Sequence, residues 1–322
     1  MERKKNVKQI RWGIVVCNDA KETELLSLLS TIHGSLVTAV VREDAIPSKP
    51  VVPARGVKHS FADAQALIDC PDVDAVYIAT PPASHAVYAM TAMRAGKPVF
   101  VEAPLAASYE DCMRINRVAQ ETGVPCFVGF YQHYLPMLAA VEKLIEEGSA
   151  GNVLHVHFQL TLQSDCHNEL MLPKGTAVDF NTLTAHVFDL LQQLFGVIVK
   201  VHGYRASADR QGENNTSACY LFETGVVGSA SWSFTEDAAS SVDEMKITGQ
   251  SGTIVFPLFH ESPIVLTTSS GEKHIETSTS QPIMLPMLQV VVEELQGIGF
   301  CPSKNLEATL TNWVIDRILG KV

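Results

Sequence analysis

The sequence predicts an α/β protein with an N-terminal doubly wound parallel sheet, followed by an α+β domain with a large, mostly antiparallel sheet. From Gln9 to about Phe130, short β-branched runs alternate with longer amphipathic stretches, as in strands joined by crossover helices. From about Asn152, apolar and polar residues alternate along longer runs, as in antiparallel strands with one covered face. The length of 322 residues suits two domains, which we place at 1–130 and 131–322.

In the first half, continuously apolar runs predict strands that are covered on both faces. Helices are predicted between them, because apolar residues recur at helical spacing and Gly96 and Gly123 supply C-terminal stops. The predicted strands are Arg11–Cys17, Ser35–Val41, Ala75–Ala79, Pro98–Val101 and Pro125–Gly129. The predicted helices are Lys21–Thr31, Ser60–Asp69, Ser84–Ala95, Ser108–Thr122 and Leu135–Glu147.

In the second half, alternating runs predict six strands, and three helical patterns accompany them. The strands lie within Val153–Gln163, Val197–Ala206, Thr216–Gly225, Val227–Glu236, Asp243–Gly252 and Thr253–Leu258. The helices are Phe180–Phe195, Pro286–Gly297 and Asn305–Ile318. The long strands leave a broad open sheet face, which we expect to be apolar and to form the interface of a homo-oligomer.

Composition and charge restrict the classes of function. Hydrophobic residues make up 46% of the chain and charged residues 18%, as in a folded globular protein. The net charge of −11, without a basic block, argues against binding to nucleic acid or to an anionic membrane. The apolar run after the basic N-terminus is too short for a signal peptide, and no run suits a spanning helix. We therefore expect a cytoplasmic protein.

The cysteines predict neither disulfides nor a metal site. Seven cysteines are scattered without a CxxC pair, which is typical of free thiols in a reducing compartment. Cys166 and His167 lie near Asp165 and Glu169, but no second spaced pair of ligands accompanies them. A polar loop is the preferred interpretation of this cluster.

The segment Val76–Leu138 contains a specific combination of motifs. A strand ends in Thr80-Pro81-Pro82 and is followed by His85, a helix ends in AGKPV, and Glu102-Ala103-Pro104 comes next. This combination, extended by RWGIVV and HVFDLLQQLFG, resembles the Rossmann half of the glucose-fructose oxidoreductase, inositol dehydrogenase and MocA family. The resemblance implies binding of NAD or NADP at the carboxyl ends of the strands. It also implies hydride transfer to or from a sugar, polyol or related small molecule.

The resemblance places a glycine-rich phosphate loop where this chain has none. The glycines would fall at Val16, Asn18 and Lys21, and Asp19 would compete with a pyrophosphate for helix amides unless it turns away or Lys21 compensates. Alternatively, Asn18 and Asp19 cap the first helix. The implied cofactor-binding residues are Cys17, Asn18, Asp19, Arg42, Thr80, Pro81, Pro82, His85, Glu102 and Ala103.

The end of the second predicted strand bears on nucleotide preference. Arg42 suits the 2′-phosphate of NADP, whereas Glu43 and Asp44 oppose it. The sequence therefore predicts a weak preference for NADP, with a solvated charged turn as the alternative.

The implied catalytic residues are only partly present. The family's EKP lysine, which stabilises charge on oxygen, is replaced by Ala103. In the family's GGG and DxGxHxxD patterns, the first aspartate becomes Thr182, whereas His186 and Asp189 are retained. The remaining replacements are Thr176, Ala177 and Val178 for the glycines of GGG and Thr184 for that of DxG. His186 is thus the candidate acid or base, or else a core or interface histidine.

Other polar residues are candidates for the substrate cleft and for the missing roles. His133, Tyr134 and Thr182 are expected to line the cleft for a small-molecule substrate, beside His85 and Tyr131. The alternative for the Gln132-His133-Tyr134 cluster is a polar lining at the entrance of a helix. Lys97, Lys174 and Asp179 are candidates to inherit a catalytic role. The leading hypothesis is an NAD(P)-dependent oxidoreductase with degenerate catalytic and phosphate-binding motifs. The alternative is a catalytically inactive binding or assembly protein that retains the fold.

Overall fold

The computed structural model describes residues 8–43, 57–163, 170–173, 178–207, 214–235, 241–279 and 282–322. The strands are β1 (Ile10–Val16), β2 (Ser35–Arg42), β3 (His59–Phe61), β4 (Ala75–Ala79), β5 (Val99–Val101), β6 (Cys126–Val128), β7 (Val153–Gln163), β8 (Ile198–Ser207), β9 (Asn214–Phe222), β10 (Val227–Thr235), β11 (Val242–Gly249), β12 (Gly252–Phe256), β13 (Ile264–Thr268) and β14 (Gly271–Ile275). The helices are α1 (Asp19–Thr31), α2 (Ala64–Asp69), α3 (Pro82–Arg94), α4 (Tyr109–Thr122), α5 (Pro136–Glu146), α6 (Phe180–Phe195), α7 (Leu285–Leu295) and α8 (Asn305–Ile318).

Contacts divide the chain into two compact units. The first unit comprises the chain up to Tyr131 together with Met284–Asn312, and the second comprises Gln132–Ile283 with Trp313–Val322. The division into 1–130 and 131–322 stays a prediction, and it did not anticipate that Met284–Asn312 group with the first unit.

The first unit is built on a six-stranded parallel sheet in the order β3-β2-β1-β4-β5-β6. Its central strands are buried on both faces, as the continuous apolar runs predicted. The strand order reverses between β1 and β4, which is the switch point where open α/β sheets bind ligands at their carboxyl ends. The Rossmann prediction is therefore confirmed.

Three helices of the first unit, α1, α2 and α4, begin at side-chain caps. Asn18, Asp63 and Ser108 each accept a hydrogen bond from the backbone N–H three residues on, and Gly123 ends α4 in the left-handed region with φ 67°. The predicted helix Ser60–Asp69 is wrong at its start. His59–Phe61 pairs with β2 as an edge strand, and the helix starts only after the Asp63 cap.

The second unit contains an eight-stranded sheet in the order β14-β13-β12-β11-β7-β10-β9-β8. All neighbouring pairs are antiparallel except β7 and β10, which confirms the mostly antiparallel sheet. One face of the sheet packs its aromatic side chains against α6, where Phe188 contacts Tyr220 and Trp232. The core of this unit lies between the sheet and this helix.

The hairpin of β13 and β14 was not predicted from the sequence. Its outer strand is mostly exposed and contains Glu272, Lys273 and His274, so no alternation of buried residues marks it. A charged strand at the edge of a sheet can remain exposed to solvent, and its charges discourage pairing with strands of other chains.

The open face of the second sheet differs from the expected apolar surface. Ser229 faces His157 on one neighbouring strand and Cys219 on the other, and its hydroxyl lies 2.9 Å from His157 Nδ1. Small polar side chains and histidines occupy this part of the face, because the large apolar residues of the same strands point to the α6 side. This part of the face is therefore not the apolar surface from which a homo-oligomer was predicted. The homo-oligomer itself stays a prediction.

Two further expectations concern the described part of the chain. Six cysteines lie within it, and none of them forms a disulfide: Cys17, Cys70, Cys112, Cys126, Cys219 and Cys301. None of its helices has the length and apolar character needed to cross a membrane.

Candidate active site

The turn between β1 and α1 takes the place of a glycine-rich phosphate loop. Asn18 is extended, with φ −160° and ψ 176°, and its Oδ1 accepts a hydrogen bond of 3.0 Å from the Lys21 N–H. An extended residue needs no glycine, so this turn closes with ordinary side chains. The structure therefore shows Asn18 as the cap of α1, which was the alternative to a phosphate-binding role. One of the α1 amides is already satisfied by this cap.

Lys21 is buried at the position of the family's third glycine. Only 4% of its side chain is exposed, and its Nζ lies 2.8 Å from Glu102 Oε1 and 3.2 Å from Glu24 Oε2. The Tyr77 hydroxyl also donates to Glu102 Oε1, at 3.2 Å. Burial acts to lower the pKa of Lys21, but the two carboxylates outweigh it and raise the pKa above its ordinary value. The Lys21 ammonium is thus charged and is already paired with two carboxylates of the protein.

Arg42, the last residue of β2, is also held by carboxylates. Its guanidinium forms an ion pair with Asp19, and its Nε lies 3.6 Å from Glu22 Oε2. The arginine side chain is 18% exposed, whereas that of Asp19 is 80% exposed. Asp19 therefore points outward and bonds Arg42 instead of lying over the amides of α1.

A cleft of about 590 Å³ opens beside these residues. It lies at the carboxyl ends of β1 and β2, and Tyr88 donates a hydrogen bond of 2.8 Å to Glu43 at its edge. The lining residues are Val15, Val41, Arg42, Glu43, Ala62, Asp63, Ala64, Gln65, Ile68, Val87, Tyr88 and Thr91. The volume and the mixed lining suit the adenosine half of a dinucleotide. The carboxylates around Arg42 and Lys21 fit the phosphates poorly.

His85 links the two loops that resemble the family most closely. Its buried ring places Nε2 2.6 Å from the Thr80 carbonyl oxygen and Nδ1 3.0 Å from that of Pro104. Burial lowers the pKa of His85, although both carbonyls favour the protonated form. The ring fixes the turn at Thr80 relative to the loop that carries Ala103.

Lys97 does not replace the missing lysine. Its Nζ donates to the carbonyl oxygens of Cys70 and Val73, at 2.6 and 2.7 Å. It therefore ties two backbone segments together as a structural residue.

The second unit contains a buried pair of His133 and Asp189. His133 Nε2 bonds Asp189 Oδ2, and their side chains are 8% and 4% exposed. Burial raises the pKa of Asp189, while His133 opposes that shift. The carboxylate orients the imidazole, as expected of a histidine that must be held in one tautomer.

His186 lies near this pair and is fully buried in α6. Burial, assisted by the positive charge of His133 when protonated, lowers the pKa of His186 to about 3. Its imidazole is therefore neutral at neutral pH and is a weak base. The alternative of a core histidine agrees with this burial, and the catalytic role stays a prediction.

Thr182, which replaces the family's aspartate, is hydrogen-bonded to the carboxylate of another residue, Asp179. The Thr182 N–H donates to Asp179 Oδ1 at 2.9 Å, and its hydroxyl donates to Asp179 Oδ2 at 3.2 Å. Asp179 is the cap of α6, so the missing aspartate has a neighbouring carboxylate within the same turn. Tyr134 is half-buried in a single 3₁₀ turn, Tyr131–Tyr134, that precedes α5.

The structure thus groups the predicted residues into two sets, one in each unit. Sequence reasoning missed Glu24, Glu22 and Tyr77 in the first set, since none of them belongs to a recognisable motif. In the second set it missed the bond between His133 and Asp189, since a motif does not show which side chains meet. No group suited to a metal occurs among the described residues. Asp44, Asp165, Cys166, His167, Glu169, Lys174, Thr176 and Ala177 lie outside the described residues.

A Rossmann sheet with a cleft at its carboxyl ends, followed by a large mixed sheet, is the architecture of a two-unit protein whose first unit has the form of a dinucleotide-binding sheet. Two family models match this chain: the oxidoreductase family with an NAD-binding Rossmann fold over residues 10–130, and the GFO/IDH/MocA C-terminal domain over residues 138–255. The chain belongs to the GFO/IDH/MocA family of NAD(P)-dependent oxidoreductases.

Relatives and solved structures agree with this assignment. The chain is 25% identical to oxidoreductase P35 of Formosa agariphila, over 97% of this chain and 99% of that protein. It is 23% identical to scyllo-inositol 2-dehydrogenase (NAD(+)) of Bacillus subtilis, over 76% and 73% of the two chains. An oxidoreductase from Agrobacterium radiobacter, solved with NAD⁺, L-tartaric acid and magnesium, has a similar fold, with a TM-score of 0.82 at 16% identity. That match covers 98% of this chain and 96% of the other.

Proposed function

We propose that this chain uses NAD or NADP to transfer hydride to or from a carbon that bears a hydroxyl group. The substrate is a sugar, a polyol or a related small hydroxy compound, and turnover is slow. The observation that carries this proposal is the cleft of about 590 Å³ at the carboxyl ends of β1 and β2. Its position at the edge of a Rossmann sheet is the one where dinucleotides bind.

The chain's own residues account for the slow turnover. When bound, the nicotinamide supplies or accepts the hydride, and a protein group must handle the proton of the hydroxyl. His186 is the candidate for that proton, but with a pKa of about 3 it is a weak base. Ala103 supplies neither charge nor a proton. His133, oriented by Asp189, and the hydroxyls of Thr182 and Tyr134 are the groups proposed to receive the substrate.

Dinucleotide binding tests this proposal directly. We expect NADH and NADPH to bind with dissociation constants weaker than about 0.1 mM, because carboxylates surround Arg42 in the cleft and the neighbouring Lys21. The change in nicotinamide fluorescence on titration, with calorimetry as a second measurement, gives both constants. Submicromolar binding of either nucleotide would refute the electrostatic argument, and complete absence of binding would refute the oxidoreductase proposal.

A second function belongs to a different class. The chain serves as a non-catalytic binding or assembly protein if the cleft has lost turnover altogether. Two observations favour this alternative. Lys21 and Arg42 already form ion pairs with carboxylates of the protein, and Ala103 stands in place of the family's lysine on the loop after β5. Failure of every nucleotide titration, with a preserved melting temperature, would support it.

We also propose a cytoplasmic homo-oligomer that assembles through the open face of the second sheet. Small side chains such as Ser229 allow a second copy to approach this face closely. Sedimentation at micromolar concentration is expected to give a species larger than the 35.0 kDa chain. A single species at the mass of the monomer would remove this proposal.

A further inference from the structure

We infer that Asp19 is a specificity-determining residue that competes with the 2′-phosphate of NADP for Arg42. This inference rests on the proposed function, since it assumes that the cleft takes a dinucleotide. An arginine at the end of the second strand of a Rossmann sheet is placed to receive a 2′-phosphate. In this chain the same guanidinium already holds the carboxylate of Asp19.

The geometry makes Asp19 a removable ligand of Arg42. Asn18 caps α1 through its own side chain, so the Asp19 carboxylate is not needed for the cap. The Asp19 side chain is 80% exposed and can swing into solvent, whereas Arg42 is 18% exposed and stays at the cleft. Glu22, which is buried, lies 3.6 Å from the Arg42 Nε and keeps the arginine in place when Asp19 leaves.

No other cation among the described cleft-lining residues can substitute for Arg42. The remaining charged side chains in the lining are the acids Glu43 and Asp63. The neighbouring Lys21 is buried and bonded to Glu24 and Glu102. A 2′-phosphate therefore depends on Arg42, and its affinity depends on the anion that Arg42 already holds.

Salt screening and charge repulsion set the direction of the effect on NADP binding. An exposed ion pair is weak and screened by salt, so a phosphate dianion can displace Asp19. The displaced carboxylate still repels the phosphate. Neutralising Asp19 removes both the competition and the repulsion for NADP. NAD has only hydroxyl groups at the 2′ position, so it gains little.

The experiment measures NADPH and NADH binding to the unmodified chain and to its Asp19→Asn variant. Asparagine keeps the size and polarity of the first residue of α1 while removing the charge. We expect the dissociation constant of NADPH to fall about tenfold, which is about 1.4 kcal/mol, and that of NADH to change by less than about threefold. The readout is binding, by calorimetry and nucleotide fluorescence, so it does not depend on turnover.

Two further variants separate this effect from a general change in charge. Asp63→Asn removes one negative charge from the same cleft without touching Arg42, and asparagine preserves the cap of α2. It is expected to change both affinities alike. Arg42→Ala added to Asp19→Asn is expected to abolish the gain for NADPH. Melting temperatures verify that each variant is folded.

The possible outcomes distinguish this inference from the proposed function. If Asp19→Asn strengthens NADPH and NADH equally, or no more than Asp63→Asn does, Asp19 does not compete at Arg42 and the inference is wrong. If NADH binds and Asp19→Asn leaves NADPH unchanged, the inference fails while the oxidoreductase proposal stands. If neither nucleotide binds any variant, the proposed function fails and the inference fails with it.

Discussion

Introducing Ala103→Lys together with Thr182→Asp is expected to raise turnover of polyols or sugars by at least about 10²-fold, because a positioned acid or base contributes about 10²–10⁴ in rate. Ala103 has no group that can stabilise charge on oxygen, and Thr182 has no carboxylate to support a histidine. Ala103→Lys alone is expected to give much less, since groups that act as a unit are not additive. Steady-state assays on a panel of polyols, sugars and their oxidised forms, with NADH, NADPH and the oxidised nucleotides, measure these rates.

The structure adds one variant to this design. Asp179 Oδ1 accepts the N–H of residue 182, so a new aspartate there would lie beside an existing carboxylate. Like charges at this distance would raise the pKa of one of them and weaken its action. Asp179→Asn preserves the cap of α6 and removes the repulsion. The triple variant with Asp179→Asn is therefore expected to exceed the double variant.

Behaviour of the unmodified chain can contradict the expectation of slow turnover. Rapid turnover that persists in His186→Ala would refute both the slow rate and the choice of His186. Rapid turnover that His186→Ala abolishes would show that the retained histidine suffices with another partner, and His133 and Tyr134 are the first candidates to substitute. Each variant needs a matched measurement of stability, because His186 is buried.

The second large effect concerns stability in acid. In the fold, burial holds the pKa of His186 at about 3, below its ordinary 6.5, so the unfolded chain binds a proton first as the pH falls. The contribution of the neutral imidazole is complete above pH 6.5 and is lost progressively toward pH 3. Between pH 6.5 and 5 this loss amounts to about 2 kcal/mol of the free energy of unfolding. His186→Gln is expected to flatten that part of the pH profile.

Denaturant unfolding at pH 7, 6 and 5 measures the profile for both proteins. His202→Gln is the matched control, because His202 is exposed on β8 and its loss removes a histidine without changing the core. Parallel profiles for the unmodified chain and His186→Gln would show that His186 does not titrate differently in the two states. The expectation would then be wrong whatever the absolute stability of the variant.

Local patterns predicted the elements well where one periodicity extends over many residues. The helices Phe180–Phe195 and Asn305–Ile318 and the strand Val153–Gln163 have the bounds that the sequence indicates. The spacing of their apolar residues follows the buried face of each element, so the periodicity predicts where the element begins and ends. The hairpin of β13 and β14 lacks such a face, which is why it was missed.

The site was less predictable, because its contacts join polar groups from distant parts of the chain. His133 and Asp189 are 56 residues apart, and the partners of Lys21 include Glu102, which lies directly after β5. A sequence shows that these residues are polar, but not which of them meet. Motif comparison did identify Ala103 and Thr182 as replacements, since each lies inside a recognisable pattern. The carboxylates that hold Lys21 and Arg42 had no such marker.

The grouping of Met284–Asn312 with the first unit affects how the protein is made. Ser303 bonds the backbone of Val128 at the end of β6, and Thr309 and Asn312 bond Asn116 and Ala106. A nascent chain normally completes its domains in order from the N-terminus as it leaves the ribosome. Here the sheet that is synthesised first receives these partners only after the second unit's residues up to Ile283 have been synthesised. The N-terminal part must therefore wait, with this part of its surface uncovered, until Met284–Asn312 have emerged.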